Sequence, residues 1–273
     1  MITPRDAART DVAQQLAIFS LEGQVALVVG GGGAIGSALA VALAGAGATV
    51  AVAGRTAETL EAAVDRIGET GAASHSIVAD ASDREASGRM VTETVERFGR
   101  LDIIVNAVGG GAGKVLFAAE EYPSEAWDWI YDLNVRSTLY PTQTAVKAMI
   151  AGGQGGRVLN ISSVRSLLGI DAGYSAYVAA KGAISALTRQ WATEWAKYGI
   201  TVNAISPTFV DTPQVATLLG DPVFKAGLLS RIPLGRVGGT DDLIGPSLLF
   251  CSAAGAFVTG QVLMIDGGLT ATQ

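Results

Sequence analysis

Tyr177 and Lys181 stand four residues apart in SAYVAAK, and the chain continues as GAISALTRQWATEWAKY, which reads as a helix. Residues four apart share a helical face, so the ammonium can lie beside the phenol. A free phenol ionises near pH ~10, whereas a general acid or base works best near the working pH. Closing two or three units of that gap means stabilising the phenolate by roughly 3–4 kcal/mol. A lysine held alongside in a partly dry site has the right charge for this. Alone the pair is weak, because Tyr-x-x-x-Lys also occurs on ordinary solvated helix faces. Its weight comes from the other residues that accompany it.

The first of these is a glycine-rich turn. Gln24–Val29 is a short apolar run of strand type, followed by GGGGAIG and a helix of small residues from Ser37 to Ala46. Gly30, Gly32, Gly33, Ile35 and Gly36 there allow the backbone to approach a pyrophosphate, whose charge the N–H groups at the helix start can meet. The alternative is a flexible turn with no ligand, but a first strand before and a helix after are the context a dinucleotide site requires. At the end of the second strand an acid would hold a ribose 2′-OH and an arginine a 2′-phosphate. Ala53-Gly54-Arg55-Thr56 offers Arg55 and no acid, which favours NADP(H) and leaves NAD(H) possible. Arg55 also reads as a solvated arginine at a helix start. Asp80, after the third strand, is placed to meet the adenine or to cap the next helix.

The elements that must carry these residues alternate. Strands are expected at Gln24–Val29, Thr49–Ala53, His75–Ala79, Leu101–Val105, Gly156–Ile161, Thr201–Ile205 and Val262–Ile265. Helices are expected at Ala57–Thr70, Asp83–Phe98, Ser124–Ile150, Tyr174–Tyr198 and near Asp241–Cys251, with an irregular stretch from Pro207 to Arg236. Such alternation predicts an α/β fold, a single Rossmann-type doubly wound parallel sheet of about seven strands with helices on both faces. Residues 1–22 read as an extension in which Val12, Leu16 and Phe19 form a short apolar stripe, and residues 23–273 as one domain.

Composition narrows the partners. A net charge of −6 over 273 residues argues against nucleic acid or an anionic membrane surface. The uncharged run from Gly23 to Gly54 is broken by glycines and splits into strand, helix and strand, so no membrane span is expected. No signal-like segment opens the sequence and Cys251 is the one cysteine, so a reducing cytoplasm is expected. Cys251 lies in an apolar run and reads as a packed thiol. His75 is the one histidine, and with no second His or Cys pair no metal site is expected.

With both ends in view the sequence resembles the short-chain dehydrogenase/reductase family over about Leu21 to Leu269. The motifs are Gly30/Ala34/Gly36, Asn106-Ala107-Val108-Gly109, Asn134 in LNV, Ser162-Ser163, Tyr177/Lys181, the PTFVDT stretch from Pro207 to Thr212, and Asp266-Gly267-Gly268. The resemblance implies that Tyr177 donates or accepts the proton of a carbonyl/alcohol pair and that Ser163 hydrogen-bonds the same oxygen. It implies that Lys181 holds the nicotinamide ribose and lowers the Tyr177 pKa, and that Asn134 supports a water-linked proton path. Asn106, Gly109, Pro207 and Thr212 join the cofactor contacts on the same ground. Four departures stand out: Ala34 for the middle glycine, Val29 for a common threonine, Thr208 for the glycine after Pro207, and fourteen positions from Ser163 to Tyr177 where thirteen is usual.

Within the family the C-terminal third looks most like gluconate 5-dehydrogenases and related sugar-acid or polyol dehydrogenases. The expected function is hydride transfer between NADP(H) and a carbonyl or secondary alcohol of a sugar acid, polyol or similar hydroxy compound. A 3-oxoacyl thioester reductase is the alternative, and a non-catalytic nucleotide-binding regulator a remote third. A sugar acid needs a cation near the site, for which Arg165 and Lys114 are candidates, either also readable as a surface charge. Thr212–Arg231 reads as one or two helices over the cleft, with Leu218, Leu219, Phe224 and Leu228 either lid or core. The resemblance implies a homodimer or homotetramer through the long helices that carry Trp127, Trp129, Trp191 and Trp195.

Overall fold

The computed structural model describes residues 15–272, so most of the N-terminal extension, Val12 included, lies outside the described residues. Leu16 and Phe19 are exposed, and the chain first enters the core at Leu21, whose N–H bonds to Ala46 O at 2.8 Å.

Seven strands form one parallel sheet: β1 Val25–Val29, β2 Thr49–Gly54, β3 Ser74–Val78, β4 Ile103–Asn106, β5 Gly156–Ile161, β6 Ile200–Pro207 and β7 Val262–Ile265. Their order is β3-β2-β1-β4-β5-β6-β7, so the direction of winding reverses between β1 and β4. A ligand crevice opens at that reversal, outside the carboxyl ends of the strands. The helices are α1 Ala34–Gly45, α2 Ala57–Gly68, α3 Arg84–Phe98, α4 Ser124–Tyr131, α5 Ser137–Gly152, α6 Ser175–Trp195, α7 Ala216–Leu219, α8 Pro222–Leu229 and α9 Ile244–Cys251.

β1 is apolar throughout because both of its faces are covered. Ala26 and Val28 join Leu39, Leu60, Phe250 and Cys251 on one side, whereas Leu27 and Val29 join Met90, Met149 and Trp191 on the other. The pleat thus sorts alternate residues between two cores, and the predicted α/β architecture is the observed one. Val29, in place of a threonine, is fully buried in the second core.

The long helix expected from Ser124 to Ile150 is not continuous. α4 and α5 are separated by a π-helical turn, Asp132–Arg136, which contains Asn134. Ser137, Thr138 and Thr142 each send a hydroxyl back to the carbonyl four residues earlier, a competition that loosens regular helix. An inserted residue of this kind re-aims a side chain, here Asn134, and periodicity alone does not show it.

Among the described residues no helix is long and apolar enough to cross a membrane, and no cluster of three His, Cys, Asp or Glu side chains is placed to hold a metal. His75 bonds Glu93 Oε1 at 2.7 Å. Cys251 is buried, and burial pushes its thiol up to about 12, as befits a packed thiol.

Candidate active site

The crevice has a glycine-rich end, where a phosphate is expected, and an end that carries Ser163, Tyr177 and Lys181, where proton transfer is expected. At the first, Gly30 adopts φ +85°, and a Cβ on it would come within 2.7 Å of Val108 N. Gly36 packs so closely on Gly30 O that a side chain would displace the turn. Helix α1 begins at Ala34, three residues earlier than periodicity predicts. Its N-cap, Gly33, contributes no side-chain cap, and Gly33 and Ala34 are exposed. The helix therefore presents open N–H groups and the positive end of its dipole to the crevice. That arrangement fits a pyrophosphate beside Gly30, Gly32, Gly33, Ile35 and Gly36.

Arg55 is exposed just past β2, and its charge is felt by Asp80 after β3. Asp80 does not cap α3. Asp83 does, accepting Ala86 N–H at 2.6 Å, while Asp80 Oδ1 accepts from Ser82 N–H at 2.8 Å and Ser82 Oγ at 2.7 Å. Burial raises the Asp80 carboxyl, but the Ser82 bonds and Arg55 outweigh it and hold it below its ordinary value. Arg55 and Asp80 thus form one polar rim where an adenosine half of a dinucleotide would end.

At the proton-transfer end, β5 delivers two serines with separate duties. Ser162 Oγ bonds Lys181 O at 3.1 Å and Ser185 Oγ at 2.8 Å, tying the strand to α6. Ser163 Oγ accepts Arg165 N–H at 3.2 Å, and Ser163 lies close enough to Tyr177 to pull its phenol down. Tyr177 lies part-buried on α6, packed with Ile130, Val135 and Ala176. Lys181 is buried and donates to Ile161 O at 2.9 Å, with Nζ 5.7 Å from the Tyr177 ring centroid.

Burial dominates the electrostatics. It raises the Tyr177 phenol above its ordinary value, reinforced by Tyr174. It lowers the Lys181 ammonium to about 8. The influences that oppose the rise at Tyr177 are Ser163 and the Arg165 charge.

Asn134 is fully buried; its Nδ2 donates to Ile130 O at 2.9 Å and Gly110 O at 3.1 Å, and its Oδ1 accepts Gly110 N–H at 2.9 Å. Gly109, at φ +152°, allows this approach: a Cβ there would meet Asn134 Oδ1 at 2.7 Å and Lys181 Nζ at 3.0 Å. Gly109, Asn134 and Lys181 therefore form one cluster beside Tyr177. Asn106 works inside the sheet, donating to Thr142 Oγ1 at 2.8 Å and Asn160 Oδ1 at 2.9 Å, and its own Oδ1 has no protein partner.

Pro207 ends β6, and Thr208 Oγ1 beside it is buried without a partner. From there the chain arches through Thr212 until Gln214 lies against Gly110. In the helices that follow, Leu228 is buried with Val164, Ile232 and Leu269, Leu219 and Phe224 pack on that cluster, and Leu218 stays exposed. The longer loop between Ser163 and Tyr177 packs Gly173 against the backbone of Phe117. Of the two candidate cations, Arg165 is buried beside Ser163, whereas Lys114 is exposed in the Ala112–Lys114 turn, and its ammonium makes no hydrogen bond or ion pair among the described residues. Sequence reasoning passed over Arg231, whose charge reaches Arg165 although the two are far apart in the chain.

Known proteins resemble this chain in sequence and fold. Residues 31–270 match the family described as Enoyl-(Acyl carrier protein) reductase. The chain is 36% identical to gluconate 5-dehydrogenase of Gluconobacter oxydans, over 93% of this chain and 97% of that protein. Among solved structures it is similar to a putative short-chain alcohol dehydrogenase from Sinorhizobium meliloti, with TM-score 0.88, 35% identity, and 93% and 99% of the two chains covered. It is also similar to a gluconate 5-dehydrogenase from Burkholderia cenocepacia in complex with NADP and tartrate, with TM-score 0.86, 34% identity, and 94% and 99% covered. The ordered motifs, the sheet order and these relatives agree: the chain belongs to the short-chain dehydrogenase/reductase family.

Proposed function

We propose that this protein is an NADP(H)-dependent oxidoreductase that interconverts a secondary alcohol and a carbonyl on a hydroxy sugar acid. The observation that carries the reading is the Ser163–Tyr177–Lys181 cluster at the winding reversal of the sheet, continuous with an uncapped helix N-terminus and Arg55. The relatives supply the substrate class, since two of them are gluconate 5-dehydrogenases.

The bound nicotinamide supplies or accepts the hydride, and the protein positions the reactants and handles one proton. In reduction the Tyr177 phenol donates its proton to the carbonyl oxygen, and the Ser163 hydroxyl holds the same oxygen. Burial keeps that phenol protonated through neutral pH, which suits the donor role. Lys181 and Asn134 meet at Gly109, where Lys181 would hold the cofactor's ribose, and Asn134 fixes the Gly110 backbone beside it. Leu228 of α8 packs on Val164, the residue after Ser163.

Arg55 is the 2′-phosphate contact in this reading. Arg55→Ala is expected to weaken NADPH binding by about 10–100-fold, a charge-assisted hydrogen bond's worth, with NADH binding unchanged. Absorbance assays of 5-ketogluconate reduction with each cofactor check both points. Wild-type turnover with NADH alone would sink the Arg55 assignment, and no turnover of any keto sugar acid would sink the substrate class. A 3-oxoacyl thioester is the alternative, and exclusive turnover of such a thioester would establish it.

The proposal includes a homodimer or homotetramer in a cytoplasmic setting, with the buried thiol of Cys251 suited to reducing conditions. Phe117, Trp127, Trp129 and Tyr131 are exposed in and near α4, an apolar surface suited to a second copy, whereas Trp191 is buried and stacked on Trp195. Light scattering on the full chain is expected to give a mass at least twice the monomer's; a monomer at micromolar concentration would remove this part.

A further inference from the structure

Arg165 is only 6% exposed, yet among the described residues neither it nor Arg231 has an acidic side chain within ion-pair distance. A guanidinium stays charged at any physiological pH, so burying it unpaired is costly. Its one side-chain hydrogen bond runs from Nη1 to Gly169 O at 2.8 Å. The remaining guanidinium N–H groups have no protein partner and are not sealed from solvent, so they face accessible space. That space is the proton-transfer end, because Arg165 lies two residues past Ser163, donates its backbone N–H to Ser163 Oγ, and its charge is felt by the Tyr177 phenol.

The packing brings a second cation to the same place. Leu228 and Ile232, on either side of Arg231, are buried together with Val164, the neighbour of Arg165. The two guanidinium groups therefore oppose each other electrostatically, and Arg231 disfavours the charge on Arg165. Nothing in folding requires this, since Arg231 is exposed and could point anywhere on the surface. The cofactor's phosphates belong at the α1 start and Arg55, the opposite end of the crevice, so they do not account for the pair.

We propose that Arg165 and Arg231 form the carboxylate subsite of the cleft and select an acid over its neutral analogue. This rests on the sugar-acid reading above. A carboxylate accepts from both planar forks at once and relieves the repulsion between them, while the same substrate's carbonyl reaches Ser163 and Tyr177. A neutral group in that position leaves a buried cation unpaired, so discrimination comes from repelling the wrong substrate as much as from binding the right one.

The test compares 5-ketogluconate with its neutral carboxamide in wild type, Arg231→Met, Arg165→Met and Arg165→Lys. Arg231→Met is exposed and carries the test even if Arg165→Met disturbs the Ser163 loop. It is expected to raise KM for the acid roughly 10-fold and to change kcat/KM for the amide by less than about 2-fold. Arg165→Lys, which keeps the charge and loses the fork, is expected to recover part of the preference that Arg165→Met loses. An equal loss on acid and amide in both methionine variants means a structural role and overturns the proposal. Calorimetric titration of tartrate into the NADP complex separates the two readings. If wild type fails to reduce the acid, the substrate class falls, yet weaker tartrate binding in Arg231→Met still supports the subsite and unchanged binding still refutes it.

Discussion

Tyr177→Phe is expected to lower kcat for carbonyl reduction by about 10²–10⁴-fold while NADPH still binds, because it removes the proton donor and nothing else of size. The ring stays packed with Ile130, Val135 and Ala176, so the fold is retained. The pH profile adds a directional check. Burial holds the phenol above its ordinary value, so the protonated donor persists through neutral pH and the reductive rate declines only on the alkaline limb. Alcohol oxidation needs the phenolate and therefore climbs over that same limb. Steady-state rates in both directions, with NADPH affinity measured by fluorescence, decide the matter. A variant that keeps more than about a tenth of wild-type kcat would exclude Tyr177 as the donor.

How far such chemistry can be read from sequence depends on whether neighbours in space are neighbours in the chain. Tyr177 and Lys181 were legible because one helical turn fixes their relation. The strand–glycine–helix start was legible because each of its parts is local. β1 announced a two-sided burial through an unbroken apolar run, and the structure divides that run between two cores. Local alternatives with equal propensity were harder. Asp80 and Asp83 are both plausible caps three residues apart, and only the observed bond to Ala86 N–H assigns the role to Asp83. Ser162 and Ser163 differ in duty because the strand's pleat turns one toward Ser185 and the other toward Tyr177. The π-turn around Asn134 inserts a residue without changing composition, so a helix-period reading runs through it. Arg231 was invisible for a different reason: it reaches Arg165 only because Leu228 and Ile232 pack on Val164, a long-range contact that no local pattern encodes.

Lys181→Met is expected to abolish turnover and, at pH 7 without cofactor, to make the protein more stable. Lys181 is 3% exposed, and burial lowers its ammonium from 10.5 to about 8. A shift of that size means that the charged side chain costs the folded state on the order of 3 kcal/mol. Methionine removes that cost but leaves Ile161 O without its donor, a loss of about 1–2 kcal/mol, so a net gain of about 1–2 kcal/mol remains. The sign of the pH dependence follows from the direction of the shift. The folded-state value lies below the unfolded one, so the penalty is complete below pH 8 and fades as pH rises from about 8 toward 10.5. Wild type therefore gains stability over that window and the variant does not, until only the missing hydrogen bond separates them. Thermal unfolding at pH 7 should place the variant a few degrees above wild type, at roughly 2–4 °C per kcal/mol, and at pH 10 the order should reverse. A variant less stable by the same margin at both pH values would show that the ammonium is stabilised in place, with no burial cost to recover. The expected result has a physical reading for the site as a whole. The fold tolerates a buried cation beneath Gly109 and another beside Ser163, each a cost to stability, because both charges are aimed at what enters the crevice.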